Sequence, residues 1–156
     1  MPAHAGQLLA SVQLAGMPNG ATAAHWWAVL RDHIQTRAGM LCDAEFGVEV
    51  DVGVSWTRDL APAIKTFLDG LVAAMHVHDG SERELVSSAL SAVGDGDRLW
   101  VLLNNPEQAL LGRRRLVRPH GAGIAWNPAD ELCGYFAFRR GSGREAVTAS
   151  VMSLNQ

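Results

Sequence analysis

Arg58-Asp59-Leu60-Ala61-Pro62-Ala63-Ile64-Lys65-Thr66-Phe67-Leu68-Asp69-Gly70-Leu71 is the stretch that organises this chain. Asp59 is a good N-cap and Pro62 is tolerated in a first turn. Leu60, Ile64, Phe67, Leu68, Leu71, Val72 and Met75 then recur at three- and four-residue intervals, which predicts a helix over 60–77 with one buried stripe. Immediately upstream, Val48-Glu49-Val50-Asp51-Val52-Gly53-Val54 alternates apolar with polar or small residues, the period of a strand with one buried face, and predicts a strand over 47–56. On the helix Lys65 and Asp69, four residues apart, are neighbours on one face, with Asp59 near its N-terminal end. Gly70 inside the helix costs about 0.5–1 kcal/mol relative to alanine, so it predicts close approach of another element there.

Outward from this core the chain punctuates itself. Leu8 to Leu14 reads as a first strand, closed by Gly16-Met17-Pro18-Asn19-Gly20. A helix over Ala23 to Arg37 follows, capped by Thr22 and carrying Trp26, Trp27, Leu30 and Ile34; two adjacent tryptophans predict that one lies at an edge or interface. Downstream, Ser81 with Glu84 three positions on has the capping-box pattern and predicts a helix over 81–93. Gly94-Asp95-Gly96-Asp97 breaks the chain, Arg98 to Leu103 reads as a buried strand, and Asn105-Pro106-Glu107 opens a short helix through Leu111. Ala122 to Trp126 and Leu132 to Phe138 read as a hairpin joined by Asn127-Pro128-Ala129-Asp130, and from Gly141 the composition is that of a tail, although Ala146 to Leu154 can dock on a sheet edge. The expected fold is a single α/β (α+β) domain spanning 1–156: a small mixed sheet flanked by helices, in the order β-α-β-α followed by a further helix and a hairpin.

Over about the first 80 residues the order strand, Pro-Asn turn, helix, strand, Asp-capped helix resembles the RusA-type Holliday junction resolvases. That family carries Asp-x-Asp-Asn-x-x-Lys-x-x-x-Asp after a strand and an acidic pair where the helix ends. Asp59, Lys65 and Asp69 match that spacing, and His78-Asp79 falls where the acidic pair stands, so Asp79 is the counterpart of the last carboxylate. The family's second acid, a metal ligand, is replaced by Ala61, which has no oxygen to offer a cation. The resemblance implies a RusA-like fold with 81–156 as an extension or insertion, Asp59, Lys65, Asp69 and Asp79 as catalytic residues, Asp59 and Asp79 as ligands of Mg²⁺, branched DNA as substrate and a homodimer as working unit. Mg²⁺ is commonly held by one or two carboxylates plus water and substrate phosphate, so two remaining acids define a thin site.

Each motif residue also has a plain structural reading. Asp59 can be no more than a helix cap, and Lys65 with Asp69 a solvated pair worth about 0.2–0.5 kcal/mol. His76-Val77-His78 has a metal-site spacing, but read as the end of a helix its two imidazoles point apart. Cys42 and Cys133 lack any Cys-x-x-Cys spacing and read as buried small residues. The glycine-rich spots at 94–96 and 120–123 lack a phosphate-loop pattern, and neither a Gly-x-Ser-x-Gly nor a Cys-His arrangement supports acyl transfer.

Net charge is −3, yet residues 1–97 carry 5 basic against 12 acidic side chains and 98–156 carry 8 arginines against 4 acids. Arg113, Arg114, Arg115 and Arg118 are therefore the candidate phosphate-binding run, with the alternative that the two halves pair across a dimer. No apolar run approaches membrane-spanning length and the amino terminus has no signal-like pattern, so a cytoplasmic protein is expected. Two functions follow: a divergent RusA-like metal-dependent endodeoxyribonuclease acting on branched DNA in recombination, or a non-catalytic RusA-like scaffold or binding protein that has lost the metal site.

Overall fold

A computed structural model describes residues 5–20, 22–37, 45–57, 59–121 and 123–154. Arg58, Cys42, Ala122 and the amino-terminal Met1 to His4 of the sequence readings lie outside the described residues. The expected class is what the structure has: a mixed five-stranded sheet flanked by helices.

The chain runs β1 (Ala5–Leu14), α1 (Ala23–His33), β2 (Gln35–Thr36), β3 (Phe46–Val52), α2 (Leu60–Ala74), β4 (His76–His78), α3 (Arg83–Leu90) and α4 (Gly96–Leu103). It continues through β5 (Gly112–Arg114), β6 (Val117–His120), β7 (Gly123–Trp126), a 3-10 turn (Asp130–Leu132), β8 (Cys133–Arg140) and β9 (Val147–Leu154). The main sheet has the order β2-β1-β9-β3-β8, antiparallel except for the parallel β3–β8 pair. Two small sheets, parallel β4–β5 and antiparallel β6–β7, lie in the long crossover between β3 and β8.

Alternation along the strands decides the faces. Val12, Ala149, Val50 and Phe138 align in one cross-strand row facing the helices, while Gln13, Thr148, Asp51 and Arg139 form the next row on the opposite, polar face. The core joins the inner row to α1 and α2. Trp26 stacks on Trp56 at 5.3 Å and meets Phe67 edge-on at 5.0 Å, and Phe67 in turn meets Phe138 edge-on at 5.7 Å.

Both tryptophans of the adjacent pair are fully buried, correcting the expectation that one lies at an edge. Helix α1 has packing on two sides: Trp26 joins the aromatic cluster with Trp56 and Phe67, and Trp27 packs on Trp126 of β7 at 5.3 Å. A helix enclosed by two layers can bury residues about 100° apart.

Gly70 is the contact point of α1 and α2. A Cβ there would stand 2.6 Å from the Trp26 Cβ and 3.0 Å from both the Ala23 carbonyl oxygen and the Trp27 backbone nitrogen. The glycine has a packing cause: only a residue without a side chain lets the two backbones approach so closely.

Several boundaries depart from the sequence reading. Helix α1 stops at His33 and β2 takes the following residues; α2 ends at Ala74, so His76 to His78 is a strand. Ser81 does not cap α3. It bonds Asp79, and the residue before α3 is Glu82, in the left-handed region with φ 56°. Arg98 to Leu103 is helix α4, not a strand, because Asp95 accepts hydrogen bonds from the Asp97 and Arg98 amides and because Leu99, Trp100 and Leu103 form a buried stripe that leaves Val101 outside. Asn105 to Leu111 forms turns instead of a helix and leads into β5. The expected β7–β8 hairpin is absent: β7 pairs with β6, and β8 runs parallel to β3. The last segment, read as a tail or edge strand, is β9, hydrogen-bonded between β1 and β3 at the middle of the sheet.

Candidate functional site

Asp59 occupies the N-cap position of α2 with extended backbone, but its side chain makes no capping hydrogen bond and is exposed. Further along the same helix, Lys65 Nζ lies 3.3 Å from Asp69 Oδ2. Lys65 is 81% exposed and Asp69 22%, so water screens the pair and its worth stays within a few tenths of a kcal/mol, about 0.2–0.5. Ala61 is exposed in the first turn.

Asp79 follows β4. Its Oδ1 accepts from the Ser81 hydroxyl at 2.7 Å and from the Ser81 amide at 3.0 Å, and the hydroxyl bond holds its pKa below the ordinary carboxylate range. The charged groups acting on it are His78 and Arg115, with none from Asp59, Lys65 or Asp69. Helix α2, 15 residues and so about 22 Å long, separates Asp59 from β4. The structure thus brings Lys65 and Asp69 together and leaves Asp59 and Asp79 apart. Among the described residues no three His, Cys, Asp or Glu side chains converge where they could hold a metal ion.

Comparison of the chain with protein-family models, with curated proteins and with solved structures finds no match.

The arginine run disperses over two strands and the turns beside them. Arg113 Nη1 donates to the His78 carbonyl at 3.3 Å, Arg114 lies 4.0 Å from Glu131, Arg115 pairs with Glu82, and Arg118 is exposed on β6. Arg98 pairs with Asp32 at 2.7 Å, and Arg139 reaches Asp51 at 3.2 Å and Glu49 at 3.7 Å. Acid-rich and arginine-rich halves therefore meet within one chain.

The two histidines of β4 are buried on one strand face, not splayed as a helix end would have them, since alternate residues of a strand share a face. His76 Nδ1 donates to the Gly112 carbonyl at 3.1 Å and Nε2 accepts from the Ala129 amide at 3.1 Å. His78 Nε2 bonds the Ser81 carbonyl at 2.9 Å while its ring meets Trp100 edge-on. Both rings are ties from β4 to β5 and the loops around it. Burial lowers the His76 pKa from 6.5 to about 4, with the Gly112 bond opposing and Arg114 adding to the fall.

A testable consequence follows for stability. The unfolded chain protonates His76 near pH 6.5 and the folded chain near pH 4, so between these values the unfolded state binds the extra proton. Stability is full above pH 6.5 and declines as pH falls towards 4, by roughly 3 kcal/mol from this group. Denaturant titrations at pH 7 and pH 4.5 are expected to show that decline in the parent and less of it in His76→Gln; equal declines in both would exclude His76 as the source.

Arg31 is the side chain that sequence reading passed over. Arg31 is 5% exposed, and its guanidinium donates to the Ala74 carbonyl at 3.0 Å and also to the carbonyls of Asn105 and Glu107. Burial pulls its pKa below the ordinary arginine value, with Glu107 and Asp32 opposing. A sequence signal existed: position 31 lies four residues after Trp27 and one after Leu30, on the buried stripe of α1.

Proposed function

We propose that this chain is a non-catalytic scaffold or binding protein resembling the RusA-type resolvases, one that keeps a strand-then-helix core and has no working metal site. The dispersal of the motif carboxylates carries this reading. Asp59 at the start of α2 makes no capping hydrogen bond, Asp69 is engaged by Lys65, and Asp79 is held by Ser81 beyond the other end of the helix. Metal-assisted phosphodiester cleavage requires an ion fixed so that it activates water and offsets developing charge, and separate carboxylates cannot fix one. Ala61 leaves the position of the family's second ligand without an oxygen.

The arginines support a protein partner over a phosphate backbone. Arg114, Arg115, Arg98 and Arg139 each answer an acid of the same chain, which reduces the free positive charge that nucleic acid would need. Among the described residues no helix is long and apolar enough to cross a membrane.

A synthetic four-way DNA junction incubated with the purified protein and Mg²⁺ or Mn²⁺ is expected to remain intact. Ala61→Asp is expected not to confer cleavage, because it leaves Asp59 and Asp79 apart. Cleavage by the parent that disappears in Asp59→Asn would overturn the reading and restore the nuclease.

A further inference from the structure

Between β8 and β9 runs the exposed loop Gly141-Ser142-Gly143-Arg144-Glu145. Its carbonyls are committed to the turn that follows β3. Those of Gly143, Arg144 and the adjoining Ala146 accept from the Val54 amide at 2.9 Å, the Ser55 hydroxyl at 2.9 Å and the Gly53 amide at 3.0 Å. Position 53 has to be glycine for this approach, since a side chain there would collide with the carbonyl oxygens of Gly143 and Glu145.

Peptide geometry then fixes where the loop's donors point. In a trans peptide the N–H of one residue is directed opposite to the carbonyl of the residue before it, and no peptide bond among the described residues is cis. With the Gly143 and Arg144 carbonyls bonded to the 53–55 turn, the Arg144 and Glu145 amides both face away from it, and neither bonds an acceptor among the described residues. Successive amides directed to one side are a recurrent anion-binding device. Arg140 immediately before the loop and Arg144 within it are both exposed. Unlike Arg98, Arg114, Arg115 and Arg139, neither pairs with an acid among the described residues.

We propose that this loop binds a small phosphate monoester, the Arg144 and Glu145 amides donating to the phosphoryl oxygens and Arg140 and Arg144 supplying the charge. Local charge selects a small ligand over a polyanion. Arg139, Arg140 and Arg144 are offset by Glu49, Asp51 and Glu145, which leaves no net positive field to hold a nucleic-acid backbone. What the loop offers instead is directional: two fixed amides and two unpaired guanidiniums, a donor set that suits one tetrahedral dianion. The inference goes beyond the scaffold reading and is independent of whether the chain cleaves DNA.

Titration of the isotopically labelled full chain with phenyl phosphate at constant ionic strength, followed by amide nuclear magnetic resonance, tests this. The Arg144 and Glu145 amide signals are expected to shift saturably, and inorganic phosphate is expected to shift the same signals. Arg144→Gln, an exposed substitution, is expected to weaken binding about tenfold, and Glu145→Gln, which removes the opposing carboxylate and keeps the amide, to tighten it. Absence of saturable shifts at these two amides, affinity unchanged in Arg144→Gln, or a DNA duplex that shifts them at lower concentration than phenyl phosphate would each overturn the proposal.

Discussion

Arg31→Met is expected to cost the fold about 3–5 kcal/mol, a large part of the 5–15 kcal/mol that holds an ordinary domain together. Methionine keeps much of the apolar stem, so the loss reports on the guanidinium. The carbonyls of buried Ala74, half-buried Asn105 and exposed Glu107 lose their donor at once. Removing a partner from a buried acceptor costs about 1–3 kcal/mol in desolvation. Ala74 is the last residue of α2, where helical carbonyls lack partners and the helix dipole is negative, so a cation there meets a favourable field as well as an acceptor. Arg31→Lys is expected to recover only a minor share, because one ammonium cannot span three carbonyls as the planar fork does. Chemical denaturation of the two variants checks both statements. A loss below about 1 kcal/mol for Arg31→Met would mean that water or neighbouring groups replace the guanidinium.

The second large effect is at Gly70. In an unencumbered helix, glycine to alanine stabilises by about 0.5–1 kcal/mol. Here the sign is expected to reverse, with Gly70→Ala costing about 2–3 kcal/mol, because the new methyl would meet the Trp26 Cβ at 2.6 Å and backbone atoms of Ala23 and Trp27 at 3.0 Å. None of these atoms is the far end of a flexible side chain, so relief requires α1 and α2 to separate. That separation would loosen the stack of Trp26 on Trp56, and near-ultraviolet circular dichroism is expected to change along with the melting temperature. A stabilised Gly70→Ala protein would show that the helices part without cost.

What was legible locally came from short-range chemistry. The alternation of Val48, Val50 and Val52 marked β3, the stripe from Leu60 to Leu71 marked α2, and Thr22 marked the start of α1, where its hydroxyl accepts from the His25 amide. Gly70 was legible as a close approach because glycine has an energetic cost inside a helix that packing must offset. The misreadings share a cause. Arg98 to Leu103 is apolar enough for either period, and the Asp95 cap decided for a helix. His76 and His78 changed meaning because α2 stopped three residues before the expected boundary.

The spacing of Asp59, Lys65, Asp69 and Asp79 shows how far a motif reaches. Spacing of four residues on a helix guarantees adjacency, and Lys65 meets Asp69. Across a helix end it guarantees nothing, and Asp79 found Ser81, His78 and Arg115 as its neighbours.

By itself, then, the sequence determined the class of the protein and the places of its early strands and helices, because periodicity and capping act over a few residues. Tertiary structure alone decided that β9 would lie mid-sheet between β1 and β3, that Arg31 would be buried among carbonyls, and that β8 would run parallel to β3. Those outcomes depend on which surfaces distant segments bury against one another, and no local pattern encodes the identity of the partner.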